Sequence, residues 1–170
     1  MKSLVNHYGL DAFSINPIFD SSWTAGDLVA KCGGLSVGNG IYRIPTKAMA
    51  TSFEEALGVG FPDIKGRYSV FGHDWLGRIF AHRIAGDGHP ECILLFETGA
   101  GEVINIPATI SQLHEVDLIQ HRRDSLAYDF FEQWRRANHG IQIKISECAG
   151  YKKPLFLGGK DILENLEVID

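Results

Sequence analysis

Residues 66–84 read GRYSVFGHDWLGRIFAHRI, with an apolar-rich run on each side of the block His73-Asp74-Trp75-Leu76-Gly77. Strand-forming residues alternate in both runs, and Gly77 supplies a turn residue. Two such runs around a turn predict a β-hairpin with the block at or near its tip. A Trp beside an Asp at a turn is either a packed structural corner or part of a surface for a partner.

Further strand patterns continue from this hairpin in meander order, separated by turn-rich joints at residues 86–90 and 98–101. A shorter strand is predicted earlier in the chain, at residues 41–44. It directly follows Asn39-Gly40, which is a turn signal because both residues tolerate positive φ. The main predicted strands are residues 67–72, 78–84, 92–97 and 102–106.

Two helices are predicted outside the strands. Thr46 can cap a helix that runs to about Gly58. After residue 107 the apolar residues recur every three or four positions, so residues 118–137 predict an amphipathic helix with a break near Asp124. Its aromatic residues have the spacing of a stripe that faces the core, at Phe130, Phe131 and Trp134.

These patterns predict an α+β fold: a single domain with an antiparallel meander β-sheet and helices packed on one face. A length of 170 residues, with 45% hydrophobic and 22% charged residues, fits one globular unit. Residues 31–170 are assigned to this unit, and residues 1–30 to an N-terminal segment that covers an edge of the core. The apolar positions expected to provide that cover are Ile15, Ile18, Phe19, Trp23 and Leu28.

Charge and composition narrow the function classes. The net charge is −5, from 21 acidic and 16 basic residues, whereas nucleic-acid binders carry a basic footprint, so direct nucleic-acid binding is not expected. No apolar run approaches the ~20 residues of a membrane helix, and the N-terminus lacks a signal-peptide core, so neither a membrane partner nor secretion is expected. Three widely spaced cysteines predict neither a disulfide framework nor a cysteine zinc site, and favour a cytoplasmic location.

No catalytic, metal or cofactor site is predicted. The histidines form no HxH, HxxxH or HExxH pattern, and residues 157–161, LGGKD, lack the spacing of a phosphate-binding loop and predict a turn. His73 and Asp74 are a candidate acid/base pair, but neighbouring strand residues point to opposite faces and would converge only in a special turn. Asp74 is expected to cap the turn backbone and Trp75 to pack as a corner aromatic.

Four segments together resemble one family, in the same order along the chain. They are GGLSVGNGIYRI (residues 33–44), VFGHDWLGR (70–78), LLFETGAGE (94–102) and GYKKPLFLGGKD (150–161). The chain resembles the bacterial domain found at the C-terminus of type VI secretion immunity proteins that neutralise DNase effectors, related to GAD-like domain proteins. The resemblance covers roughly residues 31–170.

The resemblance implies a non-enzymatic, cytoplasmic protein, a monomer or weak homodimer, that binds and neutralises a cognate toxin, a nuclease effector. Because binding residues concentrate on loops, the predicted partner contacts are the loop residues of these motifs. They are Asn39, His73, Asp74, Trp75, Arg78, Lys160 and Asp161. Within the hairpin, Trp75 and Gly77 are expected to hold the fold, which leaves the polar edge of the turn as the contact. Two alternatives stay open: a regulatory or scaffold module that binds a host protein, and a small-molecule enzyme using His73 and Asp74.

Overall fold

A six-stranded antiparallel sheet lies at the centre of the chain in a computed structural model, which describes residues 1–11, 22–84 and 92–170. Each strand pairs with the one before it in the sequence, so the predicted α+β class with a meander sheet is confirmed. The strands are β1 (Ser36–Val37), β2 (Tyr42–Arg43), β3 (Tyr68–Asp74), β4 (Ile79–Arg83), β5 (Ile93–Glu97) and β6 (Glu102–Ile106).

The helical segments lie before, between and after these strands. Short 3₁₀ turns occur at Pro62–Ile64, Leu155–Leu157 and Leu163–Asn165, and a π-helical turn occurs at Leu113–Asp117. The α-helices are α1 (Lys2–Tyr8), α2 (Ala25–Cys32), α3 (Lys47–Gly60), α4 (Ile110–Gln112), α5 (Leu118–Gln120), α6 (Arg122–Leu126) and α7 (Tyr128–Ala137).

Helices α2 and α3 start where side chains satisfy their first backbone N–H groups. The Thr46 hydroxyl accepts a hydrogen bond from the Met49 N–H, so the predicted cap of α3 is confirmed. At α2, Thr24 and Asp27 form a reciprocal capping box, in which each side chain accepts from the backbone of the other. The sequence pattern had not singled out α2.

The predicted helix over residues 118–137 is broken on both sides of Asp124, at His121 and at Ala127. Ala127 adopts a left-handed conformation with φ 48°, between α6 and α7. The break frees the Leu126 carbonyl, which accepts a hydrogen bond of 2.8 Å from the Trp75 indole N–H. The hairpin thus satisfies the backbone at the point where the helix stops.

Helical segments cover both faces of the sheet, whereas the sequence predicted helices on one face. Phe53 of α3 packs edge-to-face on His73, on one side of β3. On the other side of the strand, a Cβ at the preceding residue, Gly72, would meet Tyr42, which contacts His114 of the π-helical turn. Strands β3 to β5 are therefore buried on both faces for most of their length.

Residues after α7 form a second, two-stranded sheet that sequence patterns did not predict. Its antiparallel strands are β7 (Cys148–Tyr151) and β8 (Leu166–Ile169). The first strand is held on the main sheet by a backbone hydrogen bond of 2.7 Å from the Ala149 N–H to the Trp75 carbonyl.

Part of the predicted N-terminal cover can be placed in the fold. Leu28 is buried and Trp23 is partly buried against the core. Ile15, Ile18, Phe19 and the predicted joint at residues 86–90 lie outside the described residues.

Candidate functional site

The Asp74 carboxylate organises the turn of the β3–β4 hairpin. One carboxylate oxygen accepts from the backbone N–H groups of Leu76 and Arg78, both at 3.0 Å. The other accepts from Arg78 Nε at 2.6 Å. The predicted role of Asp74 as the cap of the turn is confirmed, and its side chain is fully buried.

Arg78 joins the hairpin to two other elements. Its Nη1 donates to Glu97 Oε1 at the end of β5, at 2.9 Å, and its Nη2 donates to the Ser125 carbonyl in α6, at 3.0 Å. Burial alone would lower the pKa of Arg78, but the carboxylates of Asp74 and Glu97 outweigh it and raise that pKa. Burial raises the pKa of Asp74, and Arg78 opposes the rise. The pair is thus an ion pair that holds three elements together.

A second buried guanidinium, Arg43, fixes the segment between α7 and β7. It donates to the Lys144 carbonyl at 2.6 Å, and also to the carbonyls of Glu147 and Asp74. Burial lowers the pKa of Arg43 to about 10, so the group stays charged near neutral pH. Its Nη1 and Nη2 donate to carbonyl oxygens of the chain itself, and its buried Nε has no hydrogen-bond partner.

Two histidines are buried next to this network and are neutral. The His73 Nε2–H donates to the Ile145 carbonyl at 3.0 Å, which leaves His73 Nδ1 as an acceptor without a hydrogen-bond partner. The His114 Nδ1–H donates to the Ile110 carbonyl at 2.7 Å, so its Nε2 accepts from the Tyr42 hydroxyl at 2.9 Å. Burial lowers the pKa of His73 well below its usual range, and that of His114 to about 3.

Trp75 fills the corner between the hairpin and α7. Its ring lies 5.2 Å from that of Phe131 and 5.8 Å from that of Trp134, between centroids, with Phe130 at 5.5 Å. Phe131 and Trp134 are buried, so the predicted core-facing stripe of α7 is confirmed for these two residues. Trp75 has the packing role expected of it.

The predicted partner contacts in the hairpin need correction, because the structure buries all four of them. His73 is 3% exposed, Arg78 is 5% exposed, and Asp74 and Trp75 have no exposed surface. The physical reason is that β2 pairs with β3 next to the turn. In addition, the Ile145 carbonyl accepts a hydrogen bond from His73, and the Ala149 N–H donates to the Trp75 carbonyl. His73 bonds to the Ile145 carbonyl and Asp74 bonds to Arg78, so the two side chains are not paired with each other.

The three remaining predicted contacts lie in two other turns. Asn39 is half-buried in the β1–β2 turn with φ 63°, and its N–H donates to Asp11 Oδ1 at 2.7 Å. Lys160 and Asp161 are exposed, and Asp161 accepts a hydrogen bond of 2.6 Å from the Tyr151 hydroxyl. The structure therefore leaves Lys160 and Asp161 as the most accessible of the predicted contacts.

A groove of about 330 Å³ lies between α2, α3 and β3. Val29, Ala30 and Ala50 are among its apolar residues, and Lys47, Thr51 and Glu54 are among its polar ones. The Glu54 carboxylate already accepts the Val70 N–H at 2.9 Å, in the part of β3 that the short strand β2 does not pair with. The groove therefore serves the packing of α3 on the sheet.

The stretch with the most exposed large apolar side chains was missed by sequence reasoning. Of nine large hydrophobic side chains that are exposed in the described residues, five lie between residues 156 and 169. They are Phe156, Leu157, Ile162, Val168 and Ile169. The available signal was the run Leu155-Phe156-Leu157 between Pro154 and a Gly-Gly pair, because apolar residues in a turn have no strand or helix face to bury them.

Across residues 1–11, 22–84 and 92–170, no three His, Cys, Asp or Glu side chains come together as a set that could hold a metal ion. No helix in those ranges combines the length and the apolar character needed to cross a membrane.

Comparisons with known proteins give no family assignment. No protein-family model matches the chain, and no curated protein has a significant sequence match to it.

Proposed function

We propose that this chain is an immunity protein, which binds a cognate secreted toxin and neutralises it, and that the toxin is a nuclease effector of a type VI secretion system. The observation that carries the proposal is the concentration of exposed apolar side chains between residues 156 and 169. An exposed apolar cluster on a soluble domain is typical of a protein-binding surface. The four motifs that resemble the immunity family give the class of partner.

Stoichiometric binding fits the way in which this chain uses its polar residues. Asp74, Arg78 and Arg43 are buried and bonded to each other or to the backbone, so they stabilise one conformation. An immunity protein requires a rigid surface of high affinity, and it gains affinity when that surface is already ordered before binding. A buried ionic network supplies such order.

The net charge of −5 supports a nuclease as the partner. A nuclease needs a basic face to bind DNA, and an acidic chain is attracted to such a face before contact. Under this proposal the protein acts in the cytoplasm of the producing cell, as a monomer or weak homodimer, and has no direct contact with nucleic acid or membrane.

Co-expression with the product of the neighbouring gene tests the proposal. That product expressed alone should stop growth and degrade chromosomal DNA, and co-expression of this chain should restore growth and intact DNA. A matched control is the Leu57→Asp variant, because a charge at this buried α3 position unfolds the chain and should abolish protection. If the neighbour is toxic and remains toxic beside the wild-type chain, the proposal is wrong.

A further inference from the structure

The loop of residues 152–161 holds two large apolar side chains away from the core. Phe156 is 59% exposed and Leu157 is 60% exposed, at the tip of a 3₁₀ turn that ends at Gly158. The Leu155 N–H donates to the Gly99 carbonyl at 2.8 Å, so the base of the turn rests on the β5–β6 connection. Both side chains therefore extend from a supported base.

Asn165 fixes the shape of this loop. Its side-chain amide donates to the carbonyls of Lys153 and Lys160, both at 2.9 Å, and its Oδ1 accepts from the Lys153 N–H at 3.1 Å. The Lys152 N–H donates to the Asn165 carbonyl at 2.8 Å. One residue of the C-terminal segment thus binds both ends of the loop.

Two glycines allow the loop to close. Gly158 has φ 81°, in the region that favours glycine. At Gly159 a Cβ would lie 1.9 Å from the Lys153 carbonyl oxygen, so any side chain there would push the two ends apart. Because the loop backbone is already fixed in this way, a partner that binds Phe156 and Leu157 does not have to order the loop.

The loop also differs in charge from the rest of the chain. Residues 152–161 contain three lysines and one carboxylate, Asp161, whereas the whole chain has a net charge of −5. All three lysines, Lys152, Lys153 and Lys160, are exposed, and the Lys152 ammonium donates to the Glu164 carbonyl at 2.8 Å. The loop that carries the apolar tip therefore has an excess of positive charge on an acidic protein.

We infer that this loop is the anchor that enters the toxin, and that it fits a recess with apolar walls and a carboxylate rim. The inference rests on the proposed function. A nuclease that uses metal ions has such carboxylates within a basic DNA-binding face. The acidic body of the chain complements the basic face, and the lysine-bordered tip complements the carboxylates. Anchoring there blocks the active site directly.

A lipid surface is the competing occupant, since aromatic and basic residues also bind anionic membranes. Two apolar side chains and three lysines would give weak attachment, and the acidic remainder of the chain is repelled by anionic lipid. The observations therefore favour a protein recess.

The test measures binding of purified variants to the neighbouring gene product, by calorimetry, once protection by the wild-type chain has been scored. The double variant Phe156→Ser, Leu157→Ser should bind more weakly, with Kd raised by about 30-fold or more, as expected for the loss of central anchors. The double variant Lys153→Glu, Lys160→Glu should have a Kd that is raised by about 10-fold and depends less on salt concentration. The matched control is Val59→Ser, at an α3 position that is 81% exposed, and it should change Kd by less than about 3-fold.

The outcomes separate the two proposals. If the wild-type chain fails to bind and to protect, the proposed function and this assignment both fail. If it protects and the double serine variant binds with unchanged Kd, the loop assignment alone is overturned. It is also overturned if the wild-type chain, but not the serine variant, co-sediments with vesicles of phosphatidylglycerol and phosphatidylcholine, or forms a dimer in sedimentation experiments. Equal melting temperatures of the variants show that a loss of binding is not a loss of folding.

Discussion

Asp74 illustrates how hydrogen bonds and a counterion compensate for the burial of a charged residue. Desolvation of a carboxylate costs several kcal/mol, and only good geometry and further hydrogen bonds offset that cost. Asp74 has both, because it accepts from two backbone N–H groups and from the Arg78 guanidinium. The cost of removing one partner should therefore greatly exceed that of breaking a surface ion pair.

Replacement of Arg78 by Met should lower the free energy of unfolding by about 3 kcal/mol or more, because it leaves the Asp74 charge buried without a counterion. Urea denaturation at pH 7 measures the change. The matched control is Arg123→Met, since Arg123 forms an exposed ion pair with Asp129 at 3.0 Å. The control should change stability by no more than about 0.5–1 kcal/mol. Equal losses in both variants would contradict the structural role of the buried pair.

Strand β3 shows how a single glycine adapts an element to its neighbours. The register against β4 shifts between Val70 and Gly72, which marks a β-bulge. A Cβ at Gly72 would lie 2.1 Å from the Tyr42 hydroxyl, the same hydroxyl that donates to His114. Glycine is required there because a side chain would displace the buried Tyr42–His114 hydrogen bond.

Gly72→Ala should therefore destabilise the chain by about 1–3 kcal/mol through overpacking. Tyr42→Phe removes the nearest clashing atom, while the ring carbons Cζ and Cε2 would still lie 2.7 and 3.0 Å from the added Cβ. The variant also leaves His114 Nε2 without a donor, at a cost of about 1–3 kcal/mol. Since both changes act on one contact, the double variant should be less destabilised than the sum of the two single variants, by at least about 0.5 kcal/mol.

Gly60→Ala is the control for this cycle. Gly60 ends α3, and a Cβ there would have no heavy atom within 4 Å. The free energy of unfolding of the Gly60→Ala variant should stay the same or rise by up to about 1 kcal/mol, because alanine favours the helix. Strict additivity of the Gly72 and Tyr42 changes in the cycle would show that the two residues do not share a contact.

At the scale of the whole molecule, local patterns predicted the central sheet better than the ends of the chain. The hairpin, its neighbouring strands and α3 have strong local signals, such as alternation, the Asn39-Gly40 turn and the Thr46 cap. The sheet of β7 and β8 has no such signal, because its strands lie fourteen residues apart and are brought together by tertiary contacts, including those of Asn165.

The same distinction explains the errors at the candidate site. The local pattern correctly predicted Asp74 as a turn cap and Trp75 as a packed corner. It could not show that Ile145 and Ala149, about seventy residues later, would bond to His73 and Trp75. Nor could it show that Glu97 and Ser125 would bond to Arg78. Conversely, the exposure of Phe156 depends on how the C-terminal segment folds, and composition alone contains no such information.

Global stability should depend on pH through the buried histidines. The folded-state pKa of His114 is about 3, against about 6.5 for an unfolded histidine, so protons bind preferentially to the unfolded chain. Its contribution to stability is complete above pH 6.5 and is lost as the pH falls from 6.5 toward 3, by up to about 1.4 kcal/mol per pH unit. His73 changes in the same direction.

His114→Gln tests this dependence, because the amide can donate to Ile110 and accept from Tyr42 but does not titrate. Urea denaturation between pH 7.5 and 4.5 should show a smaller loss of stability below pH 6.5 in the variant than in the wild-type chain. His121→Gln, at an exposed position, should retain the wild-type slope. If the wild-type and His114→Gln slopes coincide, His114 is not the group that takes up the proton.

The closeness of Trp75 and Trp134 has a spectroscopic consequence. The Trp75 indole belongs to the hairpin and the Trp134 indole to α7, and the two rings are tilted by 39° relative to each other in one aromatic cluster. Electronic transitions of two indoles at this separation couple, which produces a strong near-ultraviolet circular dichroism signal. That signal requires fixed tertiary packing and disappears when packing loosens, even if secondary structure persists. The chain thus contains a label-free optical reporter of whether α7 is docked on the sheet, which can be followed in real time as a partner binds or the protein unfolds.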